Sequence, residues 1–162
     1  MPDERVQTAI ANWAPRFITQ GVDHNDFFRT TARIERWDDW CREWCATGDV
    51  HANLAAKAQA KGNLTSAGNA YITAALCYHF GKYLFQDHHA EYMAAARKSI
   101  DAFAKGSKLL DSTAERIEIP LGDLMMVGIF RRPLPHLHPS PDVRGLAGRP
   151  PWVSLLGFPL GP

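Results

Sequence analysis

Six serines carry the hydroxyl groups that could act as a catalytic nucleophile in this chain. A hydrolase nucleophile elbow needs small residues around its serine, in the pattern GxSxG, because the turn from strand to helix is tight. The serines stand in LTSAG, RKSID, KGSKL, LDSTA, HPSPD and WVSLL, and none fits that pattern. No glycine-rich phosphate loop or dinucleotide fingerprint occurs either. The residues therefore predict no complete active site, no catalytic residue and no cofactor.

Donor types that a metal ion could use lie together at Asp87, His88, His89 and Glu91. His88 and Glu91 are three positions apart, which places them on one face of a helix. The cluster also opens a predicted helix, where Asp87 is explained as an N-terminal cap and exposed polar residues are expected. We therefore favour the capping interpretation and predict no metal site.

The cysteines Cys41, Cys45 and Cys77 are odd in number and have no CxxC spacing. Each stands in an apolar helical pattern, which predicts buried free thiols in a reducing cytosol.

The composition is typical of one soluble domain, with 46% apolar and 22% charged residues. Lysine and arginine total 18 against 17 for aspartate and glutamate, so the basic surplus that drives nucleic-acid binding is missing. No apolar run approaches the length of a membrane span, and MPDERVQTA lacks a signal-peptide core. We predict a cytoplasmic protein that binds neither nucleic acid nor membrane.

Five helices are predicted up to residue 111, the first over residues 4–19 with a kink or break at Pro15. The second begins at the cap Asp23 and ends at Gly48. Its apolar stripe comprises Phe27, Ile34, Trp37, Cys41 and Trp44, widened by Trp40. The alternative use of these tryptophans, cofactor stacking, is less favoured than a packed core.

Asp49 can cap the third helix, and small residues along two further helices favour an antiparallel helical bundle. These helices span about residues 64–85 and 87–110. The pattern then changes in IEIPLGDLMMVGIFRRP, where apolar residues alternate or run together around Gly122–Asp123. This predicts a β-hairpin with strands near 115–120 and 125–131.

The predicted hairpin has an apolar face, which we assign to Ile117, Ile119, Met125, Val127 and Ile129. Two strands alone are marginal, and their unpaired edges invite another strand. We therefore predict self-association through the hairpin.

Residues 133–162 contain eight prolines and four glycines and no lysine or glutamate. Because proline cannot donate to a strand ladder, only Trp152–Leu156 could form a strand there. The composition resembles coding sequence read in a wrong frame, and the alternative is a proline-rich tail that docks on a partner. We expect an irregular Pro/Gly-rich segment.

Several motifs in a fixed order resemble the family of 2,6-dihydroxypseudooxynicotine hydrolase and related α/β-hydrolases. They are GVDxND–F, WDDW, DxTAERxEIP and RRP, and the likeness covers about residues 5–133. In that family a helical N-terminal segment forms a cap over the active site, and the hairpin starts the catalytic sheet. The resemblance implies three regions: a helical cap-like domain at 1–111, a hairpin at 112–132 that opens an absent hydrolase domain, and the 133–162 tail.

The resemblance also implies a small-molecule substrate in full-length relatives. The resemblance implies that the pocket for this substrate is lined by residues that flank the break at Gly21. These residues are Phe17, His24, Asn25 and Phe28. A simpler interpretation makes Phe17 and Phe28 core residues.

Two functions follow from the sequence. The first is a truncated or frameshifted fragment of an ester or carbon–carbon bond hydrolase, inactive alone because GxSxG and a triad are missing. The second is a tetratricopeptide-like interaction module, suggested by AKGNLTSAGNAYITAALCYHF, although no second copy of a 34-residue repeat occurs.

Overall fold

The computed structural model describes residues 2–131 and is mainly α-helical with a terminal β-hairpin, which confirms the predicted fold class. The 133–162 segment lies outside the described residues. The elements are α1 (Glu4–Thr19), α2 (His24–Thr31), a single 3-10 turn (Trp37–Asp39), α3 (Trp40–Ala60), α4 (Leu64–Tyr83), α5 (His89–Leu110), β1 (Glu115–Leu121) and β2 (Leu124–Phe130).

Two aspartates fix where the first helices begin. The Asp3 carboxylate accepts the backbone N–H of Val6, and the Asp23 carboxylate accepts those of Asn25 and Asp26. These bonds satisfy donors that a helix start leaves without partners. The predicted cap at Asp23 is confirmed. Of the kink or break predicted at Pro15, a break does not occur, because α1 continues to Thr19.

The long second helix predicted from Asp23 to Gly48 is wrong, because α2 ends at Thr31. The Asp39 carboxylate accepts the Arg36 backbone N–H at 3.1 Å and so stabilises the separate turn that opens α3. The Trp37 backbone N–H donates to Asp3 at 2.9 Å, which ties this turn to the start of α1.

Gly48 does not end a helix but lies inside α3, packed against the ring of Tyr78. Asp49 is consequently not a cap. Its carboxylate accepts the Tyr78 hydroxyl at 2.7 Å and the Lys98 ammonium at 2.9 Å, which joins α3, α4 and α5. Asp87 is not a cap either, because α5 has His88 at that position.

The hydrophobic core is centred on the predicted tryptophan stripe. Trp40 and Trp44 are fully buried, and the Trp40 indole N–H donates to the Phe80 carbonyl at 3.2 Å. Phe17 of α1 stacks on Phe80 with 3.8 Å between ring centroids. Core packing by the tryptophans is confirmed.

Helices α3, α4 and α5 form the antiparallel bundle, and glycines set its closest approach. A β-carbon on Gly106 would lie 2.9 Å from the Gly68 carbonyl oxygen. Only glycine at such a contact allows α4 and α5 to approach this closely.

The hairpin turns at Gly122–Asp123. Gly122 has a positive φ of 59° and Asp123 does not, which is the pattern of a type II′ turn. The register pairs Glu118 with Val127 and Ile119 with Met126. Directly paired residues share a face of an antiparallel sheet, so Val127 lies on the opposite face from Ile117 and Ile119. The single apolar face predicted from the sequence is therefore wrong, because it mixed residues of opposite faces.

Both faces of β2 are apolar. Met125, Val127 and Ile129 lie on one face, and Leu124, Met126 and Phe130 lie on the other. Such a strand is typical of a sheet that is covered on both sides.

Candidate functional site

A large apolar groove lies between the α4–α5 pair and one face of the hairpin. We call it the helix–hairpin groove. Its volume is about 890 Å³, within the range of pockets that bind small organic molecules. Its apolar walls come from Ile72, Ala75, Leu76, Ile100, Phe103, Ala104, Val127 and Ile129.

The α4 residues that line the groove recur at helical spacing, which places them on one side of the helix. Ala75 and His79 are four positions apart on that side, and Phe103 and Ser107 of α5 are likewise four apart. The sequence pattern predicted the helices at about residues 64–85 and 87–110 and the hairpin, but it did not predict that they would enclose a groove.

His79 is the imidazole of the groove and is half-buried there. Its ring meets the edge of Phe80 at a centroid distance of 5.2 Å and lies 5.6 Å from Tyr83. Burial, with a smaller effect of the Lys82 charge, lowers the pKa of His79 below its ordinary value. Near neutral pH this imidazole is therefore uncharged and can donate one hydrogen bond and accept another.

Two serines of α5 also line the groove. The Ser99 hydroxyl donates to the Ala75 carbonyl at 2.9 Å, which ties α5 to α4. The Ser107 hydroxyl is buried and finds no hydrogen-bond partner among the described residues. Neither serine has a histidine as a hydrogen-bond acceptor in residues 2–131, so the groove has the features of a binding surface more than of an acyl-transfer site.

Charged side chains lie at the rim of the groove, from Lys108, Glu115 and Arg116. Arg116 pairs with Glu118 on the same strand. The rim therefore carries both signs of charge around an apolar interior. This arrangement suits an uncharged, mostly apolar molecule better than an ion.

Three of the four predicted pocket residues meet at a second, shallower concavity on α2. His24, Asn25 and Phe28 line it together with Arg29 and Ala32. The rings of His24 and Phe28 are 4.6 Å apart, and Phe28 is 49% exposed.

Phe17, the fourth residue predicted to line a pocket, lies elsewhere. It is fully buried and contacts Phe27 and Trp44 as well as Phe80. The structure therefore gives Phe17 the core position that the sequence had offered as the simpler interpretation.

Beneath the α2 surface lies a polar pair that the sequence pattern did not reveal. The His51 imidazole contacts the Asp26 carboxylate at 2.7 Å, and Arg29 donates to the other carboxylate oxygen at 2.7 Å. Asp26 is 7% exposed. Because the partners are 25 residues apart on different helices, no local spacing could have indicated them.

A buried hydrogen bond lies beside this pair, between the hydroxyls of Thr30 and Thr47 at 2.7 Å. Arg33 also donates to Thr47, at 3.0 Å. Together these contacts fix the orientation of α2 on α3, and hence the position of the exposed His24 and Phe28.

The polar residues at the start of α5 contact α1 and the 3-10 turn. Asp87 pairs with Arg5 at 2.7 Å, and His88 contacts Asp38 at 3.3 Å. Over residues 2–131 no group of three or more His, Cys, Asp or Glu side chains could hold a metal ion. Within the same range, none of the helices combines the length and apolarity needed to cross a membrane.

The known proteins that this chain resembles in sequence include several hydrolases. The chain is 34% identical over 122 residues to 20-hydroxy-prefusarin hydrolase of Gibberella moniliformis, covering 72% of this chain and 29% of that protein. It is 30% identical over 134 residues to 2,6-dihydropseudooxynicotine hydrolase of Paenarthrobacter nicotinovorans, covering 81% of this chain and 35% of that protein. No family model matches the chain.

A solved structure has the same arrangement of elements. The crystal structure of 2,6-dihydroxy-pseudo-oxynicotine hydrolase superimposes with a TM-score of 0.63 at 26% identity, covering 80% of this chain and 35% of that one. The chain therefore spans about a third of the length of the hydrolases that it matches.

Proposed function

Because the chain belongs to the α/β-hydrolase family of 2,6-dihydroxypseudooxynicotine hydrolase over the matched residues, we propose that it forms the helical cap of such an enzyme. The cap would cover the substrate and hold its apolar part. The catalytic serine, histidine and acid would belong to a hydrolase domain, since the chain contains no GxSxG.

The helix–hairpin groove is the observation that carries this proposal. It is sized for a small organic molecule, and its walls are mostly apolar with one uncharged imidazole inside. Such a surface can hold the apolar part of an ester or ketone substrate and limit bulk water around it, while a reacting water reaches the cleaved bond. The α2 concavity, with His24, Asn25 and Phe28, would contribute polar contacts on the substrate side.

The apolar strand β2 supports the hydrolase assignment independently. Its two apolar faces suit an interior strand of a sheet with helices on both sides, as in an α/β-hydrolase. The proposal assigns β1 and β2 to the beginning of that sheet.

The cap is tested by grafting. In the Paenarthrobacter hydrolase, the segment that matches this chain is replaced by residues 5–131 of this chain, and turnover of that enzyme's own substrate is measured. We expect a folded chimaera with measurable turnover. A second chimaera carries Ala104→Trp, whose larger side chain fills the groove. We expect this variant to have lower turnover than the first chimaera and an unchanged far-ultraviolet circular dichroism spectrum. A folded chimaera without turnover, or an Ala104→Trp variant with undiminished turnover, would contradict the proposal.

We also propose that this chain is a fragment of such a hydrolase, because it matches only about a third of the length of its relatives. Translation of the encoding DNA beyond the Arg132 codon in all three forward frames tests this. We expect one frame to continue with a strand, a GxSxG and a later histidine. Three frames without these features would exclude the fragment.

A further inference from the structure

Arg29 brings a permanent positive charge to the α2 concavity. It lines this concavity together with His24, Asn25, Phe28 and Ala32, none of which is acidic. The volume of the concavity is about 700 Å³, within the range of pockets that bind small molecules. The lining therefore combines an exposed aromatic ring, polar side chains and a guanidinium.

A carboxylate beneath the surface holds the Arg29 guanidinium in place. The Arg29 Nη2 donates to Asp26 Oδ1 at 2.7 Å, and Asp26 Oδ2 contacts His51 Nε2 at 2.7 Å. The Asp26 side chain is 9% exposed, whereas the Arg29 side chain is 71% exposed. Because a guanidinium carries more N–H groups than this single bond uses, the others can bind a ligand from solvent.

The acidic residues of this segment are engaged elsewhere. The Asp23 carboxylate caps α2 by accepting the backbone N–H of Asn25 at 2.8 Å, and Asp26 is shared between Arg29 and His51. The next arginine along the chain, Arg33, is occupied differently. Its guanidinium donates to Glu43 at 2.8 Å and to Thr47 at 3.0 Å. Of the two guanidinium groups, Arg29 is therefore the one that is available to an anion.

The α2 concavity adjoins the helix–hairpin groove along the link between α1 and α2. Gln20 lines the groove and His24 lines the concavity, and four residues of chain span at most about 14 Å. The rim of the groove carries both signs of charge, whereas the charged residue that lines the concavity is Arg29. An anionic group is therefore better placed in the concavity than in the groove.

We propose that Arg29 binds a carboxylate of the ligand, with the ligand's ring against Phe28. Guanidinium and carboxylate are matched in shape and can share two parallel hydrogen bonds. Arg29 thereby distinguishes an anionic ligand from a neutral one of the same shape. The inference rests on the proposed function only in identifying this ligand as the substrate of a hydrolase.

The test compares two probes of similar shape, 2-naphthoate and 2-naphthamide, on the full chain. Dissociation constants are measured from chemical-shift changes in two-dimensional ¹H–¹⁵N spectra. We expect wild type to bind 2-naphthoate about fivefold more tightly than 2-naphthamide, the effect of one solvent-accessible ion pair.

Arg29→Gln should abolish this preference and leave the affinity for 2-naphthamide unchanged. A damaged concavity would instead weaken the binding of both probes. The matched control is Arg36→Gln, which removes the same charge from a side chain that is 75% exposed and does not line the concavity. This variant should keep the fivefold preference.

A wild-type chain that binds 2-naphthoate no more tightly than 2-naphthamide, or that binds neither probe, would overturn the proposal. Equal loss of the preference in Arg29→Gln and Arg36→Gln would also overturn it, because the preference would then follow the net charge of the protein. These titrations measure binding without turnover. Their failure is therefore distinguishable from failure of the proposed function, which the turnover of the chimaera tests.

Discussion

Gly48 of α3 lies against the aromatic ring of Tyr78 of α4, and a β-carbon on Gly48 would be 2.5 Å from the ring carbon Cε1. The ring has little freedom to move, because Tyr78 is buried and its hydroxyl is bound to Asp49. The close approach of α3 and α4 thus depends on the missing side chain at residue 48.

Gly48→Ala should therefore destabilise the protein, although alanine favours a helix by about 1 kcal/mol. Overpacking costs about 1–3 kcal/mol, so we expect a net loss of up to about 2 kcal/mol in urea unfolding followed by circular dichroism. The matched control is Asn53→Ala, an exposed position of the same helix. A gain in stability from Gly48→Ala similar to that from Asn53→Ala would show that the two helices can separate freely.

Asp26→Ala tests the polar pair that joins α2 to α3. The substitution leaves the His51 side chain, which is only 21% exposed, without its partner, whereas the exposed Arg29 can turn to water. We expect a loss of about 1–3 kcal/mol in the free energy of unfolding. Asp38→Ala serves as the control, because the Asp38 side chain is 69% exposed and its contact with His88 contributes little. Equal effects of the two variants would mean that the Asp26 pair is no stronger than a surface contact.

The lowered pKa of His79 leads us to predict that the stability of the protein depends on pH. Its pKa is lowered in the folded protein, so the unfolded chain binds a proton more readily. Stability that is present above the ordinary histidine pKa of 6.5 should therefore be lost as the pH falls through and below that value. The difference in urea midpoint between about pH 8 and about pH 5 should be smaller in His79→Gln than in wild type.

The control for this titration is His89→Gln, which alters an exposed histidine at the start of α5. It should leave the pH dependence close to that of wild type. A His79→Gln variant that loses as much stability on acidification as wild type would assign the dependence to other groups.

The sequence predicted the elements with a local signal and failed where long-range packing decides. The capping carboxylate of Asp23 and the turn at Gly122 act within two or three residues, and both appear as predicted. A glycine that ends a helix and a glycine that allows close packing look the same in a sequence. Gly48 is of the second kind, because it packs against Tyr78, which lies 30 positions away along the chain. No periodicity within α3 could distinguish the two roles.

The candidate site shows the same division. The proximity of His24, Asn25 and Phe28 follows from their spacing on one helix, and the structure brings them together. The helix–hairpin groove depends on how the hairpin folds against α4 and α5, which the sequence pattern does not specify. The faces of β2 were misassigned for a related reason, because a shift of one residue exchanges the two faces of a strand.

If the chain is the cap that we propose, it should show no hydrolysis by a serine nucleophile, because it contains no GxSxG serine. We expect no hydrolysis of activated aryl esters above a heat-denatured control and no labelling by a serine-directed fluorophosphonate in mass spectrometry. A serine esterase with a GxSxG nucleophile, treated in parallel, supplies the positive control. Stoichiometric labelling of one serine would refute this prediction.

The final prediction separates substrate contact from core packing at the four residues proposed to line a pocket. In the chimaera, His24→Ala and Asn25→Ala should each lower kcat/KM by about tenfold, the effect of one lost hydrogen bond, without changing the urea midpoint. Both side chains are exposed on α2, so their removal leaves no cavity. Phe17→Ala should instead lower the free energy of unfolding by about 3–5 kcal/mol, because Phe17 is fully buried against Phe80. Parallel loss of stability and turnover in His24→Ala and Asn25→Ala would assign these residues to the structure of α2 alone, and the α2 concavity would then have no part in substrate binding.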